Sequence, residues 1–217
     1  MIFQFLFPPK CVLCKKVLSN DETDLCQSCR LEQPIFPGSK IKVSFLAQWT
    51  GVWYYKENVR ASILRYKFCG RRSYADSYGR LLAAKLKKEG WDNTDLLSWI
   101  PLSRQRKRSR GYDQCQLLAG AVAKELGMQE VAVVRKIRNT KPQSTMGSAA
   151  HRRANILGAY EVIDPALVRG KRILLLDDII TTGTTASECA KTLLTAGAKE
   201  VKLAALAVAS FENSTQR

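Results

Sequence analysis

Two sets of side chains in this 217-residue chain have types and spacings that could do chemistry. The first is the run Ile173-Leu174-Leu175-Leu176-Asp177-Asp178-Ile179-Ile180-Thr181-Thr182-Gly183-Thr184-Thr185. Aliphatics without polar alternation mark a strand buried on both faces of a parallel sheet. The strand is expected to end at the two carboxylates, placing them outside the core, and a helical pattern begins near Ala186. Ligands of open α/β sheets sit beyond the carboxyl ends of the strands. A helix N-terminus there offers free N–H groups and a positive dipole end to a phosphate. Asp177 and Asp178 can grip ribose hydroxyls or a divalent metal, while Thr181, Thr182, Thr184 and Thr185 supply hydroxyls around Gly183. Together these suit a sugar carrying a phosphate. A Walker A loop would need Gly-Lys-Ser/Thr, but Thr184 follows Gly183, and a dinucleotide fingerprint would need three spaced glycines. An acidic helix cap with a polar first turn would account for one Asp and one Thr, not for the whole run.

The second set is Cys11, Cys14, Cys26 and Cys29, spaced C-x2-C-x11-C-x2-C. Two C-x-x-C pairs present four soft thiolates to a tetrahedral metal. Structural zinc is the expected occupant, an iron–sulfur centre would accept the same ligands, and disulfides would need an oxidising compartment. The short segment between the pairs cannot bury a core unaided, so metal binding would supply its folding energy. Cys69, Cys115 and Cys189 are scattered and read as small packing residues.

A third feature is the segment Ser103-Arg104-Gln105-Arg106-Lys107-Arg108-Ser109-Arg110-Gly111-Tyr112-Asp113-Gln114. It is expected to be a basic loop between a strand and a helix, at the same sheet edge. Arg104, Arg106, Arg108 and Arg110 there suit a pyrophosphate leaving group. A solvated basic loop is the alternative, with Asp113 simply capping the next helix.

The elements that must position these groups follow an α/β order. Residues 43–53 suggest a strand or two, with a turn at Gly51. Helices are expected from Asn58 to about Gly70, over 74–89 and over 114–126, the last two ended by Gly90 and Gly127. Strands are expected over 96–102, 131–134, 156–162 and 201–208. The polar stretch 138–150 reads as an exposed loop.

The acidic and threonine run resembles the type I phosphoribosyltransferases, which bind phosphoribosyl pyrophosphate (PRPP) through such a loop. The resemblance implies that Asp177 and Asp178 face the ribose hydroxyls and that residues 181–185 cradle the 5-phosphate. Thr181 stands where the 6-oxopurine salvage enzymes carry an Asp, which argues against hypoxanthine or guanine salvage. A narrower match begins at Pro101-Leu102-Ser103 and continues as Arg-x-Arg-x-Arg-Gly-Tyr-Asp-Gln from Arg106. With Val59, Ile63, Lys67, Phe68 and Gly70, then Thr140, Gln143, Arg152 and Asn155 of a flexible-loop block, and the four cysteines, it resembles the ComF family, including the GntX-type proteins. Met146 stands where a Leu is usual, and the single histidine, His151, where a Glu is common. The resemblance implies a type I phosphoribosyltransferase-like parallel sheet flanked by helices over residues 39–217, and a four-cysteine zinc ribbon over residues 1–38. It also implies PRPP with Mg²⁺ as ligand and, through the family's tie to natural transformation, single-stranded DNA and competence proteins as partners. Asp177, Asp178 and Arg106 are then the candidates for catalysis, though no residue announces itself as the acceptor's base.

Composition adds the charge. The formal net charge is +16, from 35 Lys and Arg against 19 Asp and Glu, far more than one pyrophosphate needs. Residues 56–88 carry ten basic side chains against Glu57 and Asp76, and residues 101–153 carry twelve against Asp113, Glu125 and Glu130. Such clusters suit a polyanion. Arg65, Lys67, Arg71 and Arg72 are the nucleic-acid candidates, with Tyr54, Tyr55, Tyr66, Phe68, Tyr74 and Tyr78 interleaved as stacking surfaces or as core. No apolar run approaches the roughly 18 residues needed to span a bilayer. The apolar start, residues 1–7, lacks a basic leader and meets Pro8-Pro9, so it reads as a docking segment of a cytoplasmic protein.

Overall fold

The computed structural model describes residues 8–91, 93–140 and 154–209. The elements in chain order are α1 (Gln27–Glu32), β1 (Gln48–Tyr54), α2 (Glu57–Phe68), α3 (Tyr74–Lys88), β2 (Leu96–Trp99), α4 (Arg104–Arg110), α5 (Gln114–Leu126), β3 (Val134–Lys136), β4 (Tyr160–Val162), α6 (Pro165–Val168), β5 (Arg172–Ile180), α7 (Thr184–Thr195) and β6 (Glu200–Val208). Four strands form an all-parallel sheet in the order β1-β6-β5-β2, and β3 and β4 pair antiparallel beside it.

The aliphatic run of β5 supplies both faces of the core. Leu174 and Leu176 point into one cluster with Val59, Ile63 and Tyr66 of α2, Tyr78 and Leu82 of α3, and Leu118 and Val122 of α5. Ile173 and Leu175 point into the other, with Cys189 and Leu193 of α7, Tyr160 of β4 and Val168. Period-two alternation thus serves two apolar layers, which is why the sequence shows no polar positions there. Helices α3 and α5 touch closely at Gly79, where a Cβ would lie 2.5 Å from that of Ala121.

Several expectations change. The strands expected over 131–134 and 156–162 are Val134–Lys136 and Tyr160–Val162. Gly51 makes no turn; it sits inside β1 opposite Ala205, where a Cβ would lie 2.6 Å from a methyl of Val208. The glycine is there for close packing. The basic segment is largely helix, because Ser103 Oγ accepts from the Arg106 N–H and Gly111 (φ 75) ends α4. Strand β5 does not stop at the carboxylates but runs through Asp177 and Asp178 to Ile180.

The four-cysteine module packs into the first cluster, where Cys11, Val12, Leu13, Leu25, Cys26 and Cys29 join the side chains of α2 and α3. Its exit runs along the outside of β1: Phe36 N–H donates to Val52 O at 2.9 Å and Tyr54 N–H to Pro34 O at 2.7 Å. At the opposite edge, Val131 N–H donates to Leu97 O of β2 at 2.9 Å.

Candidate phosphoribosyl site

Asp178 continues the Leu174–Leu176 face of β5 and so points under α2 and α5, not outward. It is 4% exposed. Lys67 Nζ, from α2, lies 2.8 Å from its Oδ1, and Gln114 Nε2, from the first turn of α5, donates to its Oδ2 at 2.6 Å. The expectation that both carboxylates lie outside the core is therefore corrected for Asp178. An ionised carboxylate is tolerated at such depth because a cation and an amide donor satisfy it. Burial pulls the Lys67 ammonium toward neutrality, but the charge of Asp178 and its hydrogen bond outweigh that and hold it charged.

Asp177 is half-buried and opens on a small cavity of about 30 Å³ lined by Ile179, Ile180, Thr181, Gly183, Thr184, Thr185 and Ala186. Its Oδ1 accepts from the Asp178 N–H at 2.8 Å and lies 3.5 Å from Cys115 Sγ. Burial first, and the Asp178 charge second, push its carboxyl up to about 7. The loop that closes the cavity turns at Gly183, whose φ of 70° admits glycine best and whose missing Cβ leaves room for Val43. Thr182 and Thr184 hydroxyls pair at 2.8 Å, and α7 starts at Thr184 with its first N–H groups at the cavity. Four of the five residues of the expected phosphate loop, Thr181, Gly183, Thr184 and Thr185, thus line one cavity with Asp177, and Thr182 joins them through its hydroxyl on Thr184.

The four arginines of α4 divide. Residues four apart share a helix face, and residues two apart lie on nearly opposite ones. Arg104 and Arg108 are exposed, while Arg106 and Arg110 are half-buried on the inner face. Arg106 Nη2 donates to Thr140 O at 3.2 Å, and Lys136 Nζ donates to Thr140 Oγ1 at 2.7 Å while lying 5.2 Å from the Tyr160 ring centre. Burial, then the charge of Arg106, lowers the Lys136 ammonium to about 8. Arg110 stacks over Phe68 at 4.8 Å, and its buried Nη1 has no hydrogen-bond partner among the described residues. Of the flexible-loop residues, Thr140 thus sits beside Arg106, and Asn155 O accepts from Arg138 Nη2 at 3.2 Å. Gln143, Arg152, Met146 and His151 lie outside the described residues.

At the N-terminal end, one Sγ from each of Cys11, Cys14, Cys26 and Cys29 lies within 4.8 Å of the others. That spread and the all-thiolate donor set fit one tetrahedral zinc ion. Residues 113–216 match the phosphoribosyl transferase domain family, and residues 2–39 match the double zinc ribbon domain family. The chain joins a phosphoribosyl transferase domain to a zinc ribbon. Its relatives include the DNA utilization protein YhgH of Escherichia coli K12, 28% identical over 89% of this chain and 87% of that one. Competence protein F of Haemophilus influenzae is 26% identical over 91% and 96%, and competence protein ComFC of Streptococcus pneumoniae is 28% identical over 87% and 77%. The ComF resemblance drawn from the motifs is borne out by these relatives. Among solved structures, a glutamine PRPP amidotransferase from B. subtilis aligns over 64% of this chain and 30% of its own, with 23% identity and a TM-score of 0.43, a likeness too distant to argue from.

The nucleic-acid candidates lie in different settings. Lys67 is turned inward to Asp178, and Arg65 donates to the carbonyls of Val12 and Leu13. Arg71 is exposed, and Arg72 stacks 5.0 Å over the Tyr112 ring with Nη2 on Gly111 O at 3.1 Å. Tyr66 and Tyr78 are fully buried core, whereas Phe68 is 64% exposed. Among the described residues no helix is long and apolar enough to cross a membrane. Sequence reasoning missed Lys136, Tyr160 and Gln114 as site residues. The one signal for Lys136 was a lysine just before the polar loop, and Gln114 was visible only as the last letter of a motif.

Proposed function

We propose that this protein binds PRPP with Mg²⁺ at the end of β5 and serves, as a ComF-type phosphoribosyltransferase-like protein, in the uptake or processing of DNA. What supports the reading is the meeting of Asp177 with Thr181, Gly183, Thr184 and Thr185 around one cavity at the start of α7, with Lys136 near enough to feel the charge of Asp177 and sharing Thr140 with Arg106. The 5-phosphate would take the α7 N–H groups and the threonine hydroxyls. Asp177 would accept from the ribose hydroxyls, with Asp178 behind it, and Arg106, Arg110 and Lys136 would face the pyrophosphate. The carboxylate oxygens suit a hard cation, and Mg²⁺ on the pyrophosphate would neutralise its charge as the anomeric bond breaks. Thr181 stands where a carboxylate beside a purine ring would be needed, which disfavours hypoxanthine or guanine as acceptor. Arg71, Arg72 and exposed Phe68 beside α4 are the surface offered to a single strand, and the names of the relatives, DNA utilization protein and competence protein, favour that partner.

The second reading is turnover of a small-molecule acceptor with no nucleic-acid role. Asp177 at about 7 favours it, since a carboxyl at that value can exchange a proton near neutrality. Calorimetry with Mg-PRPP tests the shared core: binding at micromolar levels is expected, and no binding overturns the reading. PRPP consumption with free bases, amines and single-stranded DNA as acceptors then separates the two.

A further inference from the structure

Helix α2 has two loyalties. From its middle, Ser62 Oγ donates to Val12 O and pairs with Tyr78 Oη at 2.6 Å. Arg65 adds Nη2 hydrogen bonds to Val12 O and Leu13 O. Val12 and Leu13 are the two residues between Cys11 and Cys14, so these acceptors are the backbone of the first metal knuckle itself. The knuckle is in turn tied to its partner by Val12 N–H on Asp24 O at 2.9 Å, and Asp24 forms an ion pair with Arg80 of α3. Two residues beyond Arg65 comes Lys67. A step of two residues turns an α-helix by about 200° and advances it by about 3 Å. Lys67 therefore leaves the opposite side of the helix and meets Asp178 at 2.8 Å. Tyr66, between them, donates its hydroxyl to Gln114 O at 2.7 Å, and Gln114 is the second donor to Asp178.

We infer that Lys67 is a positioning residue for the sugar-binding carboxylates, and that the four-cysteine module holds it in place through Arg65 and Ser62 of α2. This rests on the phosphoribosyl reading above. Asp178 is bound on both oxygens, by Lys67 and by Gln114, which sets the carboxylate plane and the course of β5 at Asp177. Lys67 can do this only if α2 keeps its height over the sheet. The hydrogen bonds that grip α2 from the far side end on the backbone of the metal knuckle. The ribbon thereby becomes part of the ligand site without touching ligand, and the +16 charge gives up one of its expected polyanion cations to an internal duty.

The test uses the full chain, loaded with metal, and titrates Mg-PRPP by calorimetry into wild type and into Lys67→Met, Lys67→Arg and Arg65→Met, with metal content and thermal melting measured on each. Lys67→Met should weaken binding roughly tenfold or more, the scale of a missing charge-assisted hydrogen bond beside a buried carboxylate. Lys67→Arg should recover most of that, which a purely packing role would not produce. Arg65→Met should keep its metal yet lose affinity about threefold to tenfold, since it loosens the support without touching the site. Unchanged affinity in Lys67→Met, or an Arg variant as weak as the Met one, overturns the role of Lys67. If Lys67→Met does not fold, Arg65→Met still decides the coupling, and full affinity there overturns it. A wild-type chain that does not bind Mg-PRPP removes the phosphoribosyl reading and this inference together.

Discussion

The two segments that leave the sheet at its carboxyl edge, 181–185 after β5 and 103–113 after β2, contrast in how they hold their chemistry. The first is a tight turn whose groups are mostly backbone N–H and short hydroxyls, so all of its residues but Thr182 line one small cavity. The second is a helix of long cations, and the helix sorts them. Arg106 and Arg110 turn inward, Arg104 and Arg108 turn to solvent. A short polar loop declares its ligand through residue type alone. A charged helix does not, because half of its charges belong to water.

The largest effect that would sharpen this contrast is expected at Asp177. Asp177→Asn should lower Mg-PRPP affinity by about a hundredfold with little change in melting temperature, as two charge-assisted hydrogen bonds disappear from a half-buried position. Asp178→Asn should also destabilise the fold, by about 3 kcal/mol, because it leaves the Lys67 ammonium buried without its counter-ion. Calorimetry and thermal melts read the two separately. An Asp178 variant that melts like wild type would break the account of β5.

Next comes the sorting of α4. Arg106→Met should cost PRPP affinity about tenfold, and Arg108→Met less than about twofold, by the usual worth of a charged hydrogen bond against an exposed charge. Equal effects would return the segment to a freely moving basic loop. Acidity gives a smaller effect. The Lys136 ammonium, lowered to about 8 by burial and by Arg106, is charged below that pH and neutral above it. PRPP association should therefore weaken as pH rises through about 8, and Lys136→Met should abolish that limb of the profile while lowering affinity below it. The smallest effect is on DNA. Replacing Arg71 and Arg72 should reduce the salt dependence of single-strand binding by roughly 0.7 log units for each phosphate no longer neutralised, and leave PRPP binding intact. Arg104 and Arg108, exposed on α4, are the controls for a diffuse effect of charge.

Much of this was legible in the sequence, for identifiable reasons. Strand β5 reads as an unbroken aliphatic run, and helix α5 carries clear caps: Asp113 accepts from the Cys115 and Gln116 N–H groups at 3.0 and 3.2 Å, and Gly127 ends it with φ 65. The four-cysteine spacing and the threonine loop announce themselves by type. What stayed hidden depends on pairings between residues far apart in the chain. Lys67 reads as one more surface cation until Asp178, distant in the chain, is brought against it; its partner can be known only from how α2 lies on the sheet. Lys136 sits on a three-residue strand too short to show alternation. Gly51 carries the ordinary mark of a turn, and only the side chain of Val208 explains it.

The segment that leaves the ribbon also shields a border of the sheet. By donating and accepting along the outside of β1, residues 34–36 give that border strand a neighbour. A border strand without one is a template for another chain. Removal of the metal, if it frees this segment, would thus turn a loss of local order into a question of solubility. The chain would be expected to associate through β1, and light scattering during chelation would report it before any ligand assay could.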